Sequence, residues 1–194
     1  GGDPAGAHRR DAEFVEAAPR EMDAGGRAPA GQGARHRLDE VVAEVRSAQR
    51  WAAEHDPPLA SRICGWLHLP SYGRFWGEPQ TWSASLLTAS DGDERRLLGA
   101  TVIMAGAAAN RGALDEARRR ASVVLDLSDD HRLLGAALEI LSDVAMYSGD
   151  FAACEALARR LAEVGDAVAD SHMRAIATVN AALGCTFGGD PVRA

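Results

Sequence analysis

The chain has no lysine. A phosphate-binding loop of the Gly-x-x-x-x-Gly-Lys-[Ser/Thr] kind is thereby excluded, because that loop needs a lysine ammonium on the nucleotide phosphates. Arginine supplies all the remaining strong bases, and high-GC codon usage accounts for the substitution without a physical adaptation. Aromatic residues make up 5% of the 194 positions, and β-branched residues are few beside alanine and leucine. Strands draw on branched and aromatic side chains, whereas alanine loses no side-chain entropy in a helix, so the balance favours helices. Excess positive charge is missing as well: the net charge is −7, which argues against direct contact with nucleic acid. Cysteine is scarce, and Cys64, Cys154 and Cys185 are odd in number and far apart. They suit reduced core positions of a cytoplasmic protein better than a disulfide framework. No apolar run approaches the roughly 20 residues of a membrane span, and no signal peptide is visible. The chain opens Gly1-Gly2-Asp3 without methionine, and the expectation is a fragment of a longer protein.

What is present is helical periodicity. Residues 1–36 are expected to be a poorly ordered N-terminal segment. It holds a short helix over about residues 7–22, with Phe14 and Val15 as core candidates, and a breaker-rich linker containing Gly25, Gly26, Pro29, Gly31 and Gly33. From Leu38 the stripe Leu38, Val41, Val42, Val45, Ala48, Ala52 recurs at spacings of three and four and ends near Pro57. Pro57 and Pro58 fit the first turn of a following helix carrying Leu59, Ile63 and Leu67, which stops around 70–73. Further helices are predicted over about 79–89, 93–110, 113–127, 130–148, 151–164 and 168–187, so that residues 37–194 form one helical domain.

A repeat organises these helices. Gly77, Gly112, Gly149 and Gly189 each follow one helix and open another, at separations of 35, 37 and 40 residues, near the tetratricopeptide period of about 34. A glycine there takes a left-handed conformation that other residues resist. Five residues past the marker stand Ala117, Cys154 and Ala194, and nine past stand Ala121 and Ala158, small enough for two helices to approach closely; Leu125 and Leu161 supply bulk. The first unit departs, with Trp82 at a small-residue position. The predicted fold is all-α, antiparallel helical hairpins stacked as a tetratricopeptide-like right-handed solenoid. The alternative is an ordinary helical bundle with coincidental glycine spacing. Gly189-Asp190-Pro191-Val192-Arg193-Ala194 is expected to begin the second helix of a further hairpin.

The run Arg46-Ser47-Ala48-Gln49-Arg50-Trp51-Ala52 after acidic Leu38-Asp39-Glu40, the Leu/Trp-rich stretch from Cys64 to Trp76, and the Gly77-Glu78 turn carry a resemblance. Over about residues 8–194 the chain resembles the helical repeat region of the signal-transduction ATPases, multidomain transcriptional regulators of actinobacterial type. It departs from them in lacking a customary asparagine in the first run and in placing Pro70 in a helix that is usually continuous. The resemblance implies a non-catalytic sensor or docking surface controlling an upstream nucleotide-binding domain, an intramolecular partner in that case.

No catalytic residue, metal ligand or cofactor site is expected. The six histidines are scattered, with no His-Glu-x-x-His, paired-cysteine or Gly-x-Ser-x-Gly pattern. Cys64 and His68 are one turn apart but only two potential ligands. The aromatics Trp66, Tyr72, Phe75, Trp76 and Trp82 read either as packing between short helices or as a ligand pocket, with Trp66, Trp76 and Trp82 as its candidates. In a tetratricopeptide stack the first helix of each hairpin lines the groove. That places Val102, Gly106, Ala109 and Asn110, then Glu139, Asp143, Met146 and Tyr147, then Val179, Leu183, Thr186 and Phe187 along it. Asn110, Glu139, Asp143, Met146 and Tyr147 are the partner-binding candidates, and the acidic pair favours a cationic or amphipathic protein or peptide segment. A homodimer through an exposed repeat end, and a free-standing adaptor for a peptide or small effector, are the other assemblies this pattern allows.

Overall fold

The computed structural model describes residues 32–74 and 76–189. Among them stand nine α-helices and no strand: α1 (Gln32–His55), α2 (Pro57–Trp66), α3 (His68–Arg74), α4 (Glu78–Ala89), α5 (Leu98–Asn110), α6 (Leu114–Leu127), α7 (His131–Tyr147), α8 (Phe151–Ala167) and α9 (Ser171–Phe187). The expected helix over 7–22, its linker up to residue 31, and the last residues from Asp190 to Ala194 lie outside the described residues. None of the described helices is long and apolar enough to cross a membrane.

Local chemistry explains most boundaries. α1 begins at Gln32, six residues before the predicted stripe. A single interior glycine such as Gly33 costs only about 1 kcal/mol in a helix, too little to stop one already nucleated by Val45, Ala48 and Ala52, all buried. Asp56 caps α2 by accepting from the Leu59 N–H at 3.1 Å, with proline in the first turn. The chain then breaks at Leu67, whose N–H turns back to the Cys64 and Gly65 carbonyls. The cause lies three residues on: Pro70 has no N–H for the Trp66 carbonyl, and its ring would collide with that carbonyl. A new short helix, α3, starts instead, with Pro70 tolerated near its beginning. The predicted start of α5 at residue 93 is also displaced. Residues 93–97 form turns in which Asp93 accepts from the Arg96 N–H at 3.1 Å, and the helix proper begins at Leu98.

The hairpin joints follow one scheme. Gly112, Gly149 and Gly189 have φ of 76°, 76° and 89°, as their marker role requires. After α5, the Ala113 N–H reaches back to the Ala108 carbonyl at 2.9 Å, and after α7 the Asp150 N–H does the same to Ala145 at 2.9 Å. These are helix ends closed by a left-handed residue. Gly77 is different: its φ is −80°, so the first predicted marker is not a left-handed turn. Ala169 takes φ 55° without being glycine, with the Asp170 N–H on the Gly165 carbonyl at 2.8 Å. Asp130, Asp150 and Asp170 then cap α7, α8 and α9 through their side chains.

Helices consecutive in the chain pack on one another. α5 meets α2, α4, α6 and α7; α7 meets α5, α6, α8 and α9; α6 and α8 each lie against the helices before and after them. α2 and α4 also pack on each other, so α3 is an insertion within their hairpin. Three overlapping cores result. One joins α1, α2, α4 and α5 around Ile63, Leu97 and Ile103, the next joins α5, α6 and α7 around Val102, Val124 and Ile140, and the last joins α7, α8 and α9 around Leu138, Leu161 and Met173. Ala117, Ala121, Cys154 and Ala158 are each at most 1% exposed, as close approach within a hairpin demands. α2 and α5 approach at backbone distance: a Cβ on Gly99 would lie 2.0 Å from the Ser61 carbonyl oxygen, and Ser61 Oγ accepts from the Ala100 N–H at 3.0 Å.

Candidate functional site

α5 packs on α7 and α7 on α9, and the short α3 lies against α5 and reaches α7. Gly106 makes room for it. A Cβ on Gly106 would come within 3.1 Å of Tyr72 Cδ2, so the absent side chain is what lets the Tyr72 ring settle on α5. From there the Tyr72 hydroxyl donates to Asp143 Oδ2 on α7 at 2.6 Å. Asp143 Oδ1 accepts from Asn180 Nδ2 on α9 at 3.0 Å, and the same amide donates to Ser142 Oγ at 3.2 Å. One carboxylate thus ties three elements together. His68, one turn before Tyr72, stacks on its ring with centroids 5.2 Å apart. Its Nε2 stands 3.4 Å from Glu139 Oε2, at ion-pair distance, although neither ring nitrogen makes a hydrogen bond.

Burial sets the electrostatics of this layer. Desolvation holds the Asp143 carboxyl above its ordinary range, and the neighbouring Glu139 charge pushes the same way; hydrogen bonds from Tyr72 and Asn180 and the nearness of His68 oppose it. Burial, with Asp143 beside it, raises the Tyr72 phenol further above its usual value, so that it stays a donor. The Cys64 thiol is pushed up to about 12 by burial, and burial raises Cys154 likewise. Neither is a thiolate at neutral pH, and a thiol without thiolate character is a poor nucleophile.

The acidic pair assigned to an open groove is therefore occupied from within. The side chain of Glu139 is only 13% exposed, with His68 of α3 beside it, and Asp143 is met by Tyr72 of the same helix. The reason is the helix break at Leu67, which sends α3 across the face that a continuous helix would leave clear. Val102 and Ala109 are buried in the second core rather than presented to a groove. Asn110 is exposed and donates to the Tyr72 carbonyl at 3.4 Å. Met146 is half-buried, while Tyr147, Val179 and Phe187 are 67%, 52% and 60% exposed. Phe187 stacks on Phe151 at 6.0 Å.

The tryptophans do not converge. Trp66, Trp76 and Trp82 all pack against the first core. Trp76 and Trp82 meet edge to face at 6.1 Å, and the Trp76 indole N–H donates to Glu78, which Arg46 grips with two nitrogens. Only Trp82 of the three lines the open cleft of about 380 Å³ between α1 and α4, beside Arg46, Arg50 and Glu78. Cys64 and His68 are also parted by the break. Cys64 accepts from Gln49 Nε2 at 3.5 Å, while His68 faces Glu139. Among the described residues no three His, Cys, Asp or Glu side chains gather as a metal site would need.

His68, Tyr72 and Asn180 were not among the partner-site candidates. The sequence signal for the first two is Pro70, which marks a helix restart and hence a turn of side chains aimed elsewhere. Asn180 carries no local signal; its meaning lies wholly in the α7–α9 contact. No family model matches the chain, and no curated protein or solved structure matches it either.

Proposed function

We propose that the chain is a non-catalytic interaction module of tetratricopeptide-like, right-handed stacking, a sensor or docking segment of a larger cytosolic regulator of the signal-transduction ATPase kind. Its partner is a protein segment, in cis from an upstream nucleotide-binding domain or in trans. The observation that carries this reading is the repeated joint: left-handed glycines at Gly112 and Gly149, each followed by a helix that lies between two first helices. First helices brought side by side in this way make a continuous face. Tyr147 at the end of α7 and Val179 and Phe187 on α9 are exposed apolar side chains, and where such side chains gather they mark docking sites.

The test is selection of a displayed library of helical peptides against the full chain. Enriched peptides should lose at least about ten-fold in affinity, roughly 1.4 kcal/mol, against a Val179→Glu/Phe187→Glu variant whose far-UV circular dichroism is unchanged. Failure of any peptide to enrich, or binding indifferent to both substitutions, refutes the reading. The α1–α4 cleft favours a second reading, a small anionic effector held by Arg50 against Trp82. Thermal stabilisation by aromatic carboxylates but by no peptide, abolished by Arg50→Ala, would select it.

A further inference from the structure

The face that α5 and α7 turn toward α3 has the chemistry of a binding seat, and α3 fills it in the manner of a ligand. α3 spans only His68–Arg74, far short of the 12–15 residues at which isolated helices become even marginal; docking is what holds it. Its anchors are few and specific. The Tyr72 ring lies over Gly106, its hydroxyl on Asp143, and the His68 ring stacks behind it. The fit is incomplete at one point. His68 is 6% exposed, yet neither ring nitrogen is hydrogen-bonded, with Glu139 3.4 Å away. A buried polar group left without a hydrogen bond destabilises the docked state, whereas a guanidinium or ammonium at that place would bond the carboxylate with charge assistance.

We infer that α3 is a resident stand-in for a partner segment that docks at this second place on the module. The seat takes a short helical segment of a partner protein that presents a tyrosine and, one turn before it, an arginine or lysine. This rests on the interaction-module reading and adds the partner's chemistry to it. Tyrosine goes over Gly106 to Asp143, and the cation goes to Glu139. α3 leaves when the better-matched segment arrives. While α3 is docked, the apparent affinity is lowered by the fraction of chains whose seat is open.

The probes are two fluorescein-labelled synthetic peptides with this chain's own sequence from Trp66 to Trp76, one native and one carrying His68→Arg. The hosts are the full chain and the full chain with His68→Ala/Tyr72→Ala, whose α3 has lost both anchors. The native peptide is expected to bind the double variant about ten-fold or more tighter than the wild-type chain, and the His68→Arg peptide tighter still. Adding Glu139→Gln to the host should remove the advantage of the arginine peptide alone. Amide hydrogen exchange should be fast over residues 68–74 in the double variant while α5 and α7 stay protected, which separates release from unfolding. No gain in affinity, no preference for arginine, or α3 amides still protected after loss of both anchors each overturn the inference. If neither peptide binds while library-selected peptides still bind through Val179 and Phe187, this inference falls and the interaction module stands. If nothing binds at either place, both fall.

Discussion

Gly99→Ala is expected to destabilise the chain, against the direction that helix propensity alone would give. In an exposed helix interior the exchange would stabilise by about 0.8–1 kcal/mol. Here the added Cβ would lie 2.0 Å from the Ser61 carbonyl oxygen and 2.7 Å from its carbon, where real contacts stay beyond 3.0 Å. The obstacle is backbone, so no side chain can swing away. α2 and α5 would have to part by about 1 Å, loosening Ile63, Leu97, Ala100 and Ile103, all at most 2% exposed, and the Ala100–Ser61 hydrogen bond. Overpacking costs about 1–3 kcal/mol and occasionally more. With a backbone obstacle the upper end applies, leaving a net loss of about 2 kcal/mol. For a chain of this size that lowers Tm by about 4–8 °C. Thermal and urea unfolding followed by circular dichroism measure it, with two controls. Gly112→Ala meets nothing within 4 Å but sits at φ +76°, so it should lose about 1–2 kcal/mol from conformation alone. Gly77→Ala, with open space and φ −80°, should change stability by less than about 0.5 kcal/mol. A Gly99→Ala chain as stable as the wild type would refute the α2–α5 crossing.

Ala169→Gly should stabilise by about 1 kcal/mol, since Ala169 holds φ 55°, a conformation costing an L-residue about 1–2 kcal/mol; a lower urea midpoint would contradict this. Asp143 gives a pH dependence. Its folded-state pKa is raised by burial, so the folded chain binds a proton where the unfolded chain does not, and this contribution to stability falls as pH rises through that window. Asp143→Asn removes the charge, keeps one oxygen to accept from Asn180, and turns its NH2 toward the Tyr72 hydroxyl, which can accept from it. It should be at least as stable as the wild type near pH 7, with the difference shrinking on acidification toward about pH 4; a gap independent of pH refutes the assignment. Asp143→Ala leaves the Tyr72 hydroxyl without its acceptor and Asn180 Nδ2 with Ser142 Oγ alone, and should lose about 1–3 kcal/mol.

Helix content and most joints were legible because they depend on local chemistry. Ala117, Ala121, Cys154 and Ala158 sit where glycine-anchored counting puts them, and Asp56 with Pro57 and Pro58 opens α2. Local rules failed where two signals compete. At Gly77 the glycine matches the repeat, but the α2–α4 hairpin is interrupted by α3 and the turn has another geometry. At Gly33 a breaker signal competes with a helix able to run through it. The site was less legible. Counting along α7 found Glu139 and Asp143 on the inward face, yet nothing near them in sequence shows that His68 and Tyr72, some 70 residues away, fold over them. Counting places Gly106 along the groove; that its missing Cβ accommodates a ring from α3 is a tertiary fact.

The joints at Gly149 and Ala169 satisfy both helix ends with groups drawn from a handful of consecutive residues: the left-handed residue closes the preceding helix, and the aspartate beside it opens the next. Such a joint asks nothing of distant parts of the molecule. A joint of this kind carries its closing carbonyl contact and its capping aspartate within a few consecutive residues. The α2–α4 hairpin lacks that independence, because α3 is keyed to α5 and α7. That end of the chain is tied by side-chain contacts across α3, α5 and α7, where the later joints are closed by groups beside them in sequence.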